Sequence, residues 1–398
     1  MRTLWRVLIV IGLVVVLLVG AVGLFAWHTV RASFPQVSGE ISTPGLTAPV
    51  TVVRDSLGIP QIYADGLEDL FFAQGYVHAQ DRFWEMDVRR HITSGRLSEM
   101  FGKSQVTTDS FLRTLGWRRI AEQELPLLSQ RSRVILDSYS KGVNAYLATH
   151  ADDRISLEYA VLGLQNPDYQ PEPWQPADSV AWLKALAWDL RGNMDDEVYR
   201  AVMSASVGVP ETEKLFPPYP FETNRPIVEG GAVVDGVFDQ DALASTSVQG
   251  ASAPAGARAA LAGVIATTRL LDTWLGRSGP GIGSNSWVVS GEHTSTGEPL
   301  LANDPHLAPM MPSLWYQTAM HCTNPDDACN YDVAGWSMAG LPGIFIGHNA
   351  RIAWGFTNLG PDVTDLVLQK VDGDSYLVDG APVAMSTRKE VIEVAGGD

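Results

Sequence analysis

The sequence is short of positive charge, and of charge altogether. Its 398 residues include 28 Lys and Arg against 45 Asp and Glu, which gives a formal net charge of −17 at pH 7. Because a nucleic-acid-binding protein needs a basic surface to neutralise phosphates, this balance argues against a nucleic-acid partner. Charged residues make up only 18% and apolar residues 45%. This composition allows a large buried core and argues against bulk disorder.

Cysteine is also scarce, because the chain has only two, Cys322 and Cys329, in the polar segment HCTNPDDACN. Two cysteines alone do not make a zinc site. Outside the cytoplasm, two cysteines that flank a turn favour a disulfide closing a small loop. Two free thiols are the alternative.

One long stretch has no charge at all. It runs from Val7 to Trp27, follows Arg2 and Arg6, and precedes His28 and Arg31. At about 1.5 Å per residue, a helix of this length crosses a hydrocarbon core of about 30 Å. The positive-inside bias then places the N-terminus in the cytoplasm and the rest of the protein outside it. A cleaved signal peptide is the alternative, but its apolar region is usually about 7 to 15 residues.

The remaining chain divides by composition into three parts. Residues 32–228 begin with strand-like sequence and become mainly helical. In DLFFAQGYVHAQDRFWEMDVRR, apolar residues recur with helical spacing on one face. Residues 229–283 are rich in Gly, Ala and Ser, which predicts a removable spacer or linker, or else a variable surface loop. Residues 284–398 have strand-like patterns and stop within one, at VIEVAGGD, so we expect a longer protein.

Residues within the predicted helix invite functional interpretations that we set against structural ones. His78 and Asp81 stand about one turn apart, and we predict a structural role for them rather than a catalytic dyad. Glu85 and Arg89 have the i,i+4 spacing of a surface ion pair.

The segment GPGIGSNSWVVSG, residues 279–291, leads into a predicted β-hairpin. SNSWVVS and EPLLAN flank GEHTSTG, and a hairpin centred near Thr294 pairs Ser284 with a residue near Asp304. We therefore expect Asp304, Pro305 and His306 to lie beside Ser284.

Gly-Ser-Asn before a strand is either an ordinary turn or a site of self-cleavage. In the second case, the Ser284 hydroxyl attacks the Gly283 carbonyl, and hydrolysis of the ester leaves Ser284 as a new N-terminus. Glycine suits the preceding position because it tolerates a strained backbone and leaves its carbonyl accessible. A free α-amine has a pKa of about 7.7 to 8.0, so it can take the hydroxyl proton near neutral pH. Backbone N–H groups would hold the developing oxyanion.

Six further segments carry a resemblance to a known family: VRDSLGIPQIYA, GYVHAQDRFWEMDVRRHITSGRLSEMFG, WDLRGNMDDEVYR, LLANDPHL, LPGIFIGHN and IAWGFTN. With Gly-Ser-Asn they resemble the penicillin acylase family of N-terminal nucleophile hydrolases, from about Val50 to the last residue and most weakly over 200–280. The resemblance implies an α+β fold, an αββα sandwich made from one precursor. A helical α subunit is followed by a spacer and by a β subunit that begins with the nucleophile.

The resemblance also implies roles for individual residues. Ser284 corresponds to the nucleophile and Gly283–Ser284 to the cleaved bond. His306 falls where the family places His or Gln, and it would orient the Ser amine and support autoprocessing. Asn358 matches the residue whose backbone N–H contributes to the oxyanion hole. Three residues match positions near an apolar acyl pocket: Leu307, Ile346 and Trp188.

The family binds one structural Ca²⁺ per heterodimer. The matching positions offer hard oxygen donors, as Ca²⁺ requires: the carboxylates of Glu197, Asp362 and Asp365 and the backbone carbonyl of Thr364. A solvated acidic turn is the alternative interpretation. The family takes a second oxyanion-hole Asn, an Arg near the site and further calcium ligands from later in the β subunit, and this sequence ends before them.

The sequence therefore predicts an extracytoplasmic, self-processing amidohydrolase that cleaves a linear amide through an acyl-enzyme on Ser284, without a redox cofactor. A β-lactam side chain, an acyl-homoserine lactone, a lipopeptide or another N-acyl compound would be the substrate. One alternative is a membrane-anchored binding or scaffold protein of the same fold. Another is a Ser-His-Asp hydrolase, which the lack of a G-x-S-x-G motif around Ser284 disfavours.

Overall fold

A computed structural model describes residues 2–150, 152–217, 220, 222–224, 232–234, 237–239, 258–275, 283–307, 309–326, 328–360 and 363–397. The chain forms two compact units. The first unit consists of Met1–Asp189, Trp274–Asn358 and Lys389–Asp398, and the second of Leu190–Thr273 and Leu359–Arg388. Most of the predicted spacer, residues 229–283, lies outside the described residues.

Helices dominate before Ser284 and strands after it, as the sequence predicts. The α-helices are α1 (Arg2–Ala32), α2 (Leu67–Ser94), α3 (Leu97–Phe101), α4 (Val106–Leu115), α5 (Trp117–Glu124), α6 (Gln130–Leu147), α7 (Asp152–Ile155), α8 (Leu157–Leu162), α9 (Pro176–Asp189), α10 (Met194–Val207), α11 (Val209–Leu215), α12 (Arg258–Thr268) and α13 (Asp272–Leu275). The strands are β1 (Thr51–Arg54), β2 (Pro60–Ala64), β3 (Ala232–Val234), β4 (Val237–Asp239), β5 (Gly283–Val289), β6 (Leu300–His306), β7 (Trp315–Cys322), β8 (Asp332–Met338), β9 (Leu341–Asn349), β10 (Ala353–Trp354), β11 (Val371–Asp372), β12 (Ser375–Val378) and β13 (Ala381–Ala384).

Helix α1 contains the uncharged stretch that the sequence singles out. It is 31 residues long, which corresponds to about 46 Å. Its apolar side chains are exposed, and it has the length and composition to cross a membrane. A membrane span and a signal sequence share these properties.

A six-stranded sheet joins the two parts of the chain that lie on either side of Ser284. Its strand order is β1-β2-β7-β8-β9-β10. Strand β2 pairs with β7 in parallel, with Gln61 opposite Ala319, and the other neighbours are antiparallel. Ile62 and Met320 on these two strands are fully buried and belong to one core cluster with Leu70 of α2. Backbone bonds and core packing therefore connect the segments before and after Ser284.

Helices α2 and α6 approach each other at backbone distance. A Cβ added to Gly75 would lie 2.1 Å from the carbonyl oxygen of Tyr139. One added to Gly142 would lie 1.8 Å from the carbonyl oxygen of Phe72. Any side chain at either position would push the helices apart, so the two glycines set their spacing.

The structural role predicted for His78 is confirmed. The ring is fully buried, with Nδ1 2.8 Å from the Tyr139 hydroxyl and Nε2 3.0 Å from the Ser337 hydroxyl. Burial, and then the charges of Arg82 and Arg89, lower the pKa of His78 to about 3, so the ring is neutral at physiological pH. Asp81 instead pairs with the Arg54 guanidinium at 2.8 Å.

Glu85 and Arg89 form the predicted ion pair, but the prediction that the pair lies on the surface is wrong. The two charged groups lie 3.7 Å apart, but their side chains are only 15% and 9% exposed. Arg89 also donates to the carbonyl of Ala339 at 3.1 Å and packs over the ring of Trp182. Burial raises the pKa of Glu85, which the nearby arginines Arg82 and Arg89 oppose. Helix α2 is buried on most of its surface, and not only on the one apolar face that the sequence predicts.

The second unit has its own small core, in which Val198 of α10 packs against Leu261 of α12. Strands β11, β12 and β13 form an antiparallel meander in the same unit. A Cβ on Gly192 would lie 2.2 Å from the carbonyl oxygen of Gly360, so the segment before α10 contacts the segment that follows Leu359.

The fold is a mixture of helices and mainly antiparallel sheets. The αββα sandwich stays a prediction, because the described residues form one six-stranded sheet together with smaller sheets. One of these is the hairpin β5–β6, a two-stranded sheet of its own. Ser284 lies in this hairpin.

Candidate active site

The predicted hairpin is present, with a register that differs by one residue from the expected one. Strands β5 and β6 are antiparallel, and Ser284 stands opposite Pro305. Gly283 is opposite His306, and Asp304 is opposite Asn285. The three residues expected beside Ser284 therefore lie at the end of β6 that faces it.

Side-chain direction separates Ser284 from His306. Because side chains alternate along a strand and opposed residues share a face, Ser284 and Asn303 project to one face and His306 to the other. The Nε2 atom of His306 lies 2.9 Å from Oδ2 of Asp304 on that second face. The side chain of His306 thus pairs with Asp304, and its backbone stands across from Gly283.

Gly283 has an ordinary extended backbone within β5. Its φ lies outside the left-handed region, and a Cβ at this position would meet no atom within 4 Å. The expected backbone strain is therefore not seen, and the side of Gly283 on which a side chain would project is open. Ser284 itself is half-buried.

The side chain of Asn303 ties the hairpin to the segment WGFTN. Its Oδ1 accepts the N–H of Phe356 at 3.1 Å, and its Nδ2 donates to the carbonyl of Phe356 at 3.0 Å. The same Nδ2 donates to the carbonyl of Asn285 at 3.0 Å. Gly355 lies so close that an added Cβ would be 2.7 Å from the Cβ of Asn303. We call these three hydrogen bonds the Asn303 clamp.

Sequence reasoning did not single out Asn303. A signal was available, because asparagine is depleted in strands, where it has little side chain to pack. Asn285 and Asn303 are therefore both unusual residues for the predicted strands. Asn358, which the resemblance assigns to the oxyanion hole, follows the clamped Phe356 by two residues and is exposed.

The three predicted pocket residues lie on different elements. Leu307 follows β6 directly, Ile346 is in β9, and both are half-buried. Trp188, near the end of α9, contacts the rings of Phe111 and Trp117 with centroids 6.1 and 6.0 Å away. A cavity of about 170 Å³ lies elsewhere in the first unit, between α2, α9 and residues 310–314, and none of the three lines it.

Glu197, Thr364 and Asp365 all belong to the second unit. Glu197 is in the first turn of α10 and accepts a hydrogen bond from the Asn193 amide at 2.9 Å. Asp362 lies outside the described residues. Across the part of the chain that is described, no group of three His, Cys, Asp or Glu side chains is arranged to hold a metal.

Cys322 and Cys329 form a disulfide, the arrangement that their spacing favours over free thiols. It links the end of β7 to the turn before β8. Asp326 within the loop accepts the backbone N–H groups of Ala328 and Cys329, at 2.9 and 2.7 Å. The loop is therefore held both covalently and by an internal turn.

Comparison with known proteins supports the resemblance. The sequence pattern of the family described as penicillin amidase matches residues 49–398. The acyl-homoserine lactone acylase QuiP of Pseudomonas aeruginosa is 32% identical over 385 residues, which are 95% of this chain and 42% of that protein. The penicillin acylase 2 proenzyme of Pseudomonas sp. strain SE83 is 31% identical over 381 residues, 93% of this chain and 44% of that one.

Among solved structures, a thermostable penicillin G acylase from Alcaligenes faecalis aligns with a TM-score of 0.35 and 25% identity. The alignment covers 52% of this chain and 98% of that one. This chain spans less than half the length of the two curated relatives.

Proposed function

Because the chain belongs to the penicillin amidase family, we propose that its protein cuts itself at Gly283–Ser284 and then hydrolyses linear amides through an acyl-enzyme on Ser284. The observation that carries the proposal is the hairpin β5–β6. It presents the Gly283–Ser284 bond in an open strand, opposite His306 and Pro305. The Asn303 clamp ties the segment that contains Asn358 to the same hairpin.

Self-cleavage begins with attack of the Ser284 hydroxyl oxygen on the Gly283 carbonyl carbon. An ester bond forms, the Gly283–Ser284 amide bond breaks, and the amine of Ser284 takes the hydroxyl proton. Water then hydrolyses the ester, leaving a carboxylate on Gly283 and restoring the hydroxyl of Ser284. We expect water to approach this carbonyl from the side on which a Cβ at Gly283 would meet no atom within 4 Å.

Substrate turnover uses the amine that cleavage releases. With a pKa of about 7.7 to 8.0, the free α-amine accepts the hydroxyl proton as Ser284 attacks the substrate carbonyl. The backbone N–H of Asn358 donates to the oxyanion that develops. The amine leaving group departs with a proton, and water hydrolyses the acyl ester.

His306 supports this chemistry from the neighbouring strand. Its backbone stands opposite Gly283, so it holds the strand end where the new amine arises. Its ring hydrogen-bonds to Asp304 on the far face of the hairpin. We therefore assign His306 a positioning role.

The two pieces made by cleavage stay associated in this proposal. The parallel pair β2–β7 lies within the six-stranded sheet and joins residues 61–64 to residues 319–322. Its buried side chains share a core with α2. A heterodimer of the two chains follows, with backbone hydrogen bonds across the interface.

The protein acts outside the cytoplasm, attached through α1. The length and apolar surface of this helix support an anchor. The disulfide between Cys322 and Cys329 supports an oxidising compartment, because cytoplasmic thiols are kept reduced.

A structural Ca²⁺ belongs to the same proposal. The carboxylates of Glu197, Asp362 and Asp365 and the carbonyl of Thr364 would be hard oxygen donors of the kind that Ca²⁺ prefers. The close contact between Gly192 and Gly360 supports this assignment, because it joins the two segments that carry these residues. The ion would stabilise the second unit.

Removing calcium is expected to destabilise the protein. Dialysis against EGTA should lower the Tm of the full-length protein, and added Ca²⁺ should restore it. By atomic emission we expect one calcium per molecule in the wild type and none in Glu197→Gln. Asp195→Asn, in the same helical turn, is the matched control and should retain the calcium. Protein that contains no calcium and has the same Tm with and without EGTA would contradict the assignment.

Hydrolysis is tested on the full-length protein with N-acyl p-nitroanilides of phenylacetic and decanoic acid, a β-lactam and an acyl-homoserine lactone. We expect release of the amine from at least one of them and, after rapid quenching, the mass of its acyl group on the peptide that begins at Ser284. A cleaved, folded protein that releases no amine and carries no acyl group would favour the scaffold function.

A further inference from the structure

The Asn303 clamp lies between the nucleophile strand and the segment assigned to the oxyanion hole. One amide group makes all three of its bonds, each 3.0 or 3.1 Å long. Two of them hold the N–H and the C=O of Phe356, so both peptide groups that flank its Cα are held. The third reaches Asn285, the residue that follows Ser284.

The register of the hairpin places Asn303 on the same face as the nucleophile. Asn303 is opposite Ser286 and therefore projects on the face that carries Ser284. Only Thr357 lies between Phe356 and Asn358, so their Cα atoms are at most about 7 Å apart. Hairpin β5–β6 is a two-stranded sheet apart from the six-stranded sheet that ends in β10. The clamp connects this hairpin to the segment after β10 and thereby fixes the position of the hairpin relative to that segment.

We propose that Asn303 is a positioning residue that sets the distance between the hydroxyl of Ser284 and the backbone N–H of Asn358. The inference rests on the proposed function, because it concerns the same site. In this role Asn303 does not need to touch the substrate or the reacting atoms. It acts through Phe356 on one side and Asn285 on the other.

This role predicts a particular kinetic signature. The oxyanion forms only during reaction, so a misplaced donor weakens the transition state and leaves substrate binding nearly unchanged. Removing one such donor lowers kcat by about 10²- to 10³-fold, and a shift of about 1 Å costs about 10²-fold. For Asn303→Ala we expect kcat to fall by about 10²-fold while KM changes by less than about 3-fold.

Asn303→Asp removes the amide donor but keeps the shape of the side chain. It places a carboxylate against the carbonyls of Asn285 and Phe356, so we expect the same loss in kcat. Gly355→Ala reaches the clamp from the other side, because its Cβ would press on Asn303. We expect a similar fall in kcat, and this variant keeps the test open if the Asn303 variants do not fold.

The chain offers a matched control in Asn144 of α6. Its amide holds the N–H and the C=O of Trp174 in the same way, at 2.7 and 2.9 Å. Asn144→Asp should lower the Tm and leave kcat per folded molecule unchanged. If Asn303 had a purely structural role, Asn303→Asp would also lower the Tm and leave kcat per folded molecule unchanged.

The experiment compares cleaved, folded wild type and variants on the amide that the wild type hydrolyses fastest. Reduced kcat with retained KM in Asn303→Ala or Gly355→Ala, but not in Asn144→Asp, supports the inference. Wild-type kcat in the cleaved Asn303 variants, or an equal loss in Asn144→Asp, overturns it. Wild-type protein that neither cleaves itself nor hydrolyses an amide contradicts the proposed function instead.

Discussion

Replacing Ser284 by alanine is expected to leave an uncut chain that hydrolyses no amide. One hydroxyl attacks both the Gly283 carbonyl and the substrate, so its removal stops both reactions. Loss of a catalytic nucleophile typically costs on the order of 10⁶ in kcat. Electrophoresis shows the cleavage, and amine release measures the turnover.

Two variants make this test specific. Ser284→Cys retains a nucleophile, so we expect cleavage to continue, with reduced hydrolysis. Ser286→Ala removes a hydroxyl from the same strand and the same face, two residues along. That variant should be cut and active like the wild type. Normal cleavage in Ser284→Ala would remove Ser284 from the mechanism.

Asp87→Asn is expected to have the largest effect on stability. The carboxylate is fully buried in α2 and accepts hydrogen bonds from the hydroxyls of Tyr159 and Tyr169, at 2.7 and 2.5 Å. Arg90, itself buried, forms an ion pair with it. Removing one charge from a buried pair typically costs about 3–5 kcal/mol, because the other charge is left without compensation.

The pH dependence follows from the direction of the pKa shift. Burial alone would raise the pKa of Asp87, but Arg90, His91 and Tyr169 together lower it well below its ordinary value. The ionised group therefore contributes stability above its unfolded pKa of about 3.9, and this contribution is lost as the pH falls further. The free-energy difference between wild type and Asp87→Asn should be constant above about pH 5 and should narrow below about pH 4.

Urea unfolding at several pH values measures this difference. Glu211→Gln is a suitable control. Glu211 forms an ion pair with Lys214 in which both side chains are exposed, so the pair should contribute nothing measurable to the free energy of unfolding. An Asp87→Asn variant as stable as the wild type at pH 7 would contradict the account of the buried network.

The local parts of the site could be predicted from the sequence. The hairpin was predicted from two strand-like runs around a turn. Its observed register differs from the predicted one by only one residue, because the pairing in a hairpin is determined by residues that are close in the sequence. The disulfide could be predicted for the same reason, since Cys322 and Cys329 enclose a short turn. The structural role of His78 could also be predicted, from its place inside a predicted helix.

The parts that could not be predicted depend on residues far apart in the chain. The parallel pairing of Gln61 with Ala319 joins segments on opposite sides of the spacer. The Asn303 clamp links residues 53 positions apart. The burial of Arg89 depends on Ala339 and Trp182, which no spacing within α2 reveals. In each case the local sequence is compatible with several roles for the residue, and a tertiary contact decides between them.

The mass and N-terminal sequence of the purified full-length protein show whether the Gly283–Ser284 bond is cut. We expect two chains, the second beginning Ser284-Asn285-Ser286-Trp287. A folded, stable protein in which the Gly283–Ser284 bond is intact would contradict the proposed self-cleavage.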